Sequence, residues 1–387
     1  MTSAAVIATV LGYIAVLFAV AWVSGRRADN AGFFSGNRRT PWYMAAFAMI
    51  GAAMSGVTFI SVPGSVAVDG FSYMQMVAGF TVGQLIVAFV LIPTFYRLKV
   101  VSLYEYLDDR FGVRSHRTGA WFFFVSKMLG AALRIYVVCA VMQLLVFSHY
   151  GLPFWLNAAV TMLFVWLYTQ QGGVKSLIWT DTLKTVCLVG SLVLSIVFIM
   201  QALGMSLPEM TREVAASPYS KMFFFDDPAS DRYFWKMFAA GIVLLIAMTG
   251  LDQDMMQKNL SCRNLHEAQK NMYCYGFSFI PLNFLFLCLG ILLIALAGQM
   301  QLELPAMNDD ILPMFATQGY LGQSVLVLFT IGIIAAAFSN SDSALTAMTT
   351  SVCIDLLKTD KDTEETARRK RKKVHLSLSC LLYTSPS

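Results

Sequence analysis

The chain has 387 residues, of which 57% are hydrophobic and only 13% charged, and its mean hydropathy is +0.63. Soluble domains carry about a quarter charged residues, so this composition excludes a soluble globule and describes a polytopic membrane protein. The net charge of +5 is a topology signal rather than a nucleic-acid footprint: the run ARRKRKK, 367–373, reads as a membrane-flanking basic loop.

Apolar stretches of about 20 residues, enough to cross a bilayer of about 30 Å as helices, cover 4–24, 41–66, 71–97, 119–148, 152–171, 176–200, 232–256, 270–299 and 321–355. The first has no basic residue on its amino-terminal side and is too long for a signal peptide, so it is expected to be a retained helix. Basic residues alternate between the connecting loops: Arg26, Arg27, Arg38 and Arg39; Arg97, Lys99, Arg110, Arg114 and Arg117; Lys175; Lys258, Arg263 and Lys270; then 367–373. Short cytoplasmic loops are enriched in Lys and Arg, which places the amino terminus outside a multi-pass protein of the cell membrane. The loop 201–231, with Pro208, Pro218 and Pro228, is expected outside. The scattered cysteines, without a CxxC or Cys/His spacing, suggest neither a disulfide framework nor a zinc site. After 367–373 the apolar VHLSLSCLL stops short of a full span. The expectation is one polytopic domain, 1–387, incomplete at its carboxy terminus, in which 380–387 need not be native.

Polar groups inside spans mark candidate sites. In the second span, MIGAAMSGVTFISVPGSV sets Gly51, Ser55, Gly56, Thr58, Ser61, Pro63 and Gly64 amid apolar residues. A broken helix with freed carbonyls and close packing through small residues both account for it. The seventh span repeats the pattern in AMTGLDQDMMQ, with Thr249 and Gly250 before Asp252, Gln253 and Asp254. Two interrupted spans five apart and oppositely oriented fit an inverted repeat of five helices, with a ligand where the breaks meet. In the ninth span, FSNSDSALTAM puts Ala336, Ser339, Asn340 and Ser343 on one helical face, with Asp342 and Thr346 beside it. Such hydroxyl, amide and carboxylate oxygens suit a hard cation such as sodium; back-bonding to carbonyls a turn earlier is the alternative for the serines. Asp181 in the sixth span is a functional candidate, or simply the partner of Lys184 three residues on. Arg134 in the fourth span either holds an anionic substrate or neutralises an acid such as Asp181.

The segments SGNRRTPWY, SGVTFISVPG, VVSLYEYLDDRFG, GGVKSLIWTDTLKT, LDQDMMQKNLS and AAAFSNSDSALTAMTTSVCIDLL, taken in order, resemble the sodium:solute symporter family over about residues 4–375. That resemblance implies an all-α LeuT-type inverted-repeat core behind an extra amino-terminal helix, here truncated within the ninth core helix. It implies sodium as coupling ion, a small-molecule solute and the lipid bilayer as partners, and neither catalysis nor nucleic acid. By position, it implies a main sodium site from the carbonyls of Gly51, Met54 and Ala336 with the side chains of Ser339 and Asn340, where Asn340 departs from the family's usual Ser or Thr. A second sodium site used by some members would fall on Asp181, Ser339, Asp342 and Ser343, with Asp342 an unusual addition. Substrate contacts would come from Ser55, Thr58, Gln75, Arg134 and Thr249. The family's sialic acid transporters share the character of the first broken helix and an arginine in the fourth span, which makes a carboxylate or sugar acid the leading substrate class. The expectation is a sodium-coupled symporter working by alternating access; the alternative is a solute-sensing domain of a membrane signalling protein.

Overall fold

The structure, a computed structural model, describes residues 2–26, 28–318 and 320–384; for a few helical residues, Ser339 and Asn340 among them, the side chains lie outside what it describes. The long helices are α1 (Thr2–Gly25), α2 (Trp42–Ala53), α3 (Gly56–Asp69), α4 (Tyr73–Leu98), α5 (Val113–Leu145), α6 (Phe154–Gly172), α7 (Val174–Leu203), α8 (Phe234–Gly250), α9 (Gln253–Leu260), α10 (Leu265–Met300), α11 (Gly322–Ser351) and α12 (Glu364–Thr384). Each apolar stretch of the sequence is thus a helix or a pair of helices. The pairs are α2–α3 and α8–α9, both bent by 64°. Each opens one set of spans, as an inverted repeat requires.

The first bend lies where Met54 and Ser55 leave helical geometry for extended backbone. The helical ladder ends with Met54 N donating to Ile50 O (3.0 Å) and resumes with Phe59 N donating to Ser55 O (3.1 Å). The second follows a wide turn at Ile246–Gly250 and passes through Leu251 and Asp252. Both new helices start on a side-chain cap: Ser55 Oγ accepts from Thr58 N (3.1 Å) and Asp252 Oδ1 from Asp254 N (2.8 Å). Gly79 of α4 and Gly241 of α8 let these helices meet backbone to backbone, since a methyl on either would run into a carbonyl of the other, Phe238 O or Met76 O.

The basic loops gather on one face. Arg38 donates to the carbonyls of Lys99 (2.9 Å) and Val100 (3.1 Å), Thr40 N donates to Ser261 O (3.1 Å), and Arg371 donates to Asn30 (2.8 Å). At the other ends of these helices the 201–231 loop packs over the α3–α4 turn, with Phe71 N donating to Tyr219 O (2.9 Å). Two details depart from the sequence reading. ARRKRKK is the opening of α12 rather than a loop, and that helix continues through Leu382, which is fully buried. Lys258 is not a loop charge: it lies in α9, 2% exposed, because buried carboxylates surround it.

Candidate functional site: a cavity between two broken helices

The two bends converge on a cavity of about 210 Å³. Ala52 to Ser55 and Thr58 line it from the first, Met248, Thr249 and Asp252 from the second. Aromatic walls come from Tyr73 and Phe80 of α4 and Tyr275 and Phe279 of α10, and α5 contributes Lys127 and Arg134. Ser55 and Thr58 hydroxyls lie 3.1 Å apart, and Thr249 Oγ1 is 3.5 Å from Tyr275 OH. A mostly apolar chamber with a few convergent polar groups has the usual composition of a small-molecule site.

Its charges are unevenly engaged. Lys127 Nζ contacts Asp252 (2.9 and 3.1 Å) and Asp254 (3.0 Å). Arg134, two turns further along the same face, forms no ion pair or side-chain hydrogen bond among the described residues, and its guanidinium lines the cavity. Its two sequence-level roles are thereby separated: Asp181 is neutralised by lysines, and Arg134 faces the cavity.

Behind the cavity, α6, α7, α9 and α11 bury a second set of charges. Thr185 of α7 donates to Phe47 O (2.6 Å) and Thr182 to Met44 O (3.4 Å), seating α7 against α2. A methyl at Gly51 would strike the Thr185 hydroxyl, so this contact needs glycine. Asp181, one turn before Thr185, accepts from Lys184 (3.1 Å) and Lys258 (2.7 Å). Asp342 of α11 is paired with Lys184, accepts from Tyr168 OH (2.8 Å) and from Ser343 N (2.7 Å). Ser343 Oγ accepts from Lys258 (2.7 Å) and donates to Asp181 (3.3 Å). Lys258 also reaches Asp254 at 3.7 Å, so one chain of ion pairs runs from Asp342 through Lys184, Asp181, Lys258 and Asp254 to Lys127 at the cavity wall.

The expected main cation site draws on the carbonyls of Gly51 and Met54 at the first bend. They sit where the helical ladder lapses, and α11, carrying the buried Ala336, packs against both α2 and α3. The Ser339 and Asn340 side chains fall outside the described residues. Four of the expected substrate contacts, Ser55, Thr58, Arg134 and Thr249, line the cavity. Gln75 does not: its amide donates to Arg232 O (2.9 Å) and accepts from Phe224 N (3.0 Å), so it ties down the 201–231 loop. That buried amide looks like a ligand in sequence, but its partners are remote backbone. Lys127, Asp252, Asp254 and Tyr275 were not in the expected set; the spacing of seven between Lys127 and Arg134 was the available signal for the first.

The model described as the sodium:solute symporter family matches residues 33–383. The human sodium/iodide cotransporter is 28% identical over 256 residues, which is 64% of this chain and 38% of that protein. The sodium/sialic acid symporter of Proteus mirabilis is 25% identical over 368 residues, covering 90% of this chain and 70% of that one. A solved Na+-coupled sialic acid symporter, in a substrate-bound outward-open state, superimposes with a TM-score of 0.87 at 22% identity, over 99% of this chain and 81% of that chain. That likeness carries the fold, the LeuT-type architecture. The matched stretch thus spans about two fifths of the human cotransporter's length.

Proposed function

The chain belongs to the sodium:solute symporter family, and from that premise we propose that it moves a small organic carboxylate across a membrane together with sodium, by alternating access. The observation that carries the substrate class is Arg134, half-buried in the cavity lining and without an ion pair among the described residues, in a cavity whose other cation is held by two acids. Guanidinium pairs with carboxylate through two parallel hydrogen bonds. The half-helix starts at Ser55 and Asp252 direct positive dipole ends toward the same space.

Sodium, as co-transported ion, would be held by the carbonyls of Gly51, Met54 and Ala336 with the side chains of Ser339 and Asn340. The α2–α3 bend would then contribute to both ligands, which is what makes their affinities reciprocal. In this reading the face that gathers the basic loops is cytoplasmic and the amino terminus is outside. The relatives that carry sialic acid make a sugar acid the first carboxylate to try.

The test is uptake into proteoliposomes of labelled sialic acid, with proline and glucose beside it, under an inward sodium gradient and under potassium. Sodium-dependent uptake of the acid alone is expected. In the same assay Ser339→Ala is expected to abolish sodium dependence and Ser341→Ala, on another face, to leave it; equal loss in both overturns the cation-site assignment. Equal uptake in potassium overturns coupling.

A further inference from the structure

The sequence resemblance carries a second sodium position onto Asp181, Ser339, Asp342 and Ser343, and the described side chains of that set are already saturated by the protein itself. Both oxygens of Asp181 contact ammonium groups, Lys184 at 3.1 Å and Lys258 at 2.7 Å. Asp342 is held by Lys184, by Tyr168 OH (2.8 Å) and by Ser343 N (2.7 Å). Ser343 Oγ is bound to Lys258 at 2.7 Å.

Around Lys184 two carboxylates face two ammonium groups, Lys258 being shared with Asp254 at 3.7 Å, and none of these four side chains is more than 2% exposed. A sodium ion entering here meets carboxylates whose oxygens already face ammonium groups. To enter, it would have to displace Lys184, whose two acid partners are these same carboxylates, or Lys258, which would then keep only Asp254 at 3.7 Å. Leaving a buried charge without its partner is strongly unfavourable.

Lys184 holds the decisive place. It bridges the carboxylates of α7 and α11, the point that a cation shared by both would take, and the Tyr168 ring lies 5.7 Å from its Nζ, within the reach of a cation–π contact. We propose that Lys184 is a built-in cation standing in for the second sodium, so that this protein binds one sodium ion rather than two. The inference rests on the sodium reading above and adds its stoichiometry.

The experiment counts bound ²²Na+ on the purified protein by equilibrium dialysis, with sodium alone as ligand, for the unaltered chain and for Lys184→Gln, which keeps a hydrogen-bond donor but removes the charge. The expected result is one ion on the unaltered protein and two on the variant. Two ions on the unaltered protein overturn the proposal while leaving the sodium reading intact; none overturns the sodium reading and the proposal with it. A folded Lys184→Gln protein that still binds one ion also overturns it. Should the variant unfold in potassium and fold in sodium, the ion has replaced the lost ammonium, which supports the proposal through stability; if it folds in neither, the count on the unaltered protein decides.

Discussion

The cavity and the cluster behind it hold similar charges in opposite states. In the cluster every carboxylate meets an ammonium and every one of these side chains is buried. In the cavity Lys127 is shared by two acids while Arg134 is left facing open space. A closed set of pairs joins helices; an uncommitted cation beside a void can receive something from outside. Ion pairs in a membrane protein therefore divide by whether their charge is already spent inside the fold.

The sharpest way to break this comparison is Lys258→Ala, which strips a partner from Asp181 and Asp254. Removing one member of a buried pair costs about 3–5 kcal/mol, so a large fall in the melting temperature of the purified protein is expected, with uptake lost as a consequence. A melting curve that overlays the unaltered one would show that the cluster is not structural. Gly51→Ala tests the joint between the two regions. The added methyl meets the Thr185 hydroxyl, overpacking typically costs about 1–3 kcal/mol, and the thermal shift should be intermediate.

Arg134→Gln is expected to do the reverse of Lys258→Ala. Uptake of a carboxylate solute should fall roughly 10- to 100-fold, the equivalent of a charged hydrogen bond of about 1.5–3 kcal/mol, while the melting temperature stays within about a degree. If stability falls instead, Arg134 has a partner inside the protein and the contrast collapses. The smallest effect belongs to Lys221→Ala on the 201–231 loop. Its pair with Asp226 spans 3.1 Å but is 55% and 83% exposed, and exposed pairs contribute about 0–1 kcal/mol; neither melting nor uptake should change measurably.

Much of this was legible in the chain itself. The spans follow from apolar length, because a helix needs about 20 such residues to satisfy its backbone across lipid. Both bends were marked by Gly, Ser and Thr where hydrocarbon residues were due and Arg134 by a charge in an apolar span, while Ser55, Thr58 and Thr249 were expected at the cavity through the family resemblance. Lys258 was misread because a lysine at the end of a span looks like a loop charge. Its burial depends on Asp181, 77 positions away in the chain and adjacent only after folding. Gln75 was misread for the converse reason, since the backbone groups at Phe224 and Arg232 that satisfy it belong to a loop with no sequence signature for that contact.

What the sequence determined alone was therefore what local hydrophobicity and backbone chemistry set: an all-helical membrane protein, its spans, and two places in them where polar and small residues pointed to a break or to close packing. What only the tertiary structure decided was the pairing of charges. Coulombic partners are selected by distance in space, so whether Arg134 or Lys184 neutralises Asp181 is invisible until α5, α7, α9 and α11 are packed together; once they are, Lys184 and Lys258 are committed to Asp181 and Arg134 lines the cavity without an ion pair among the described residues.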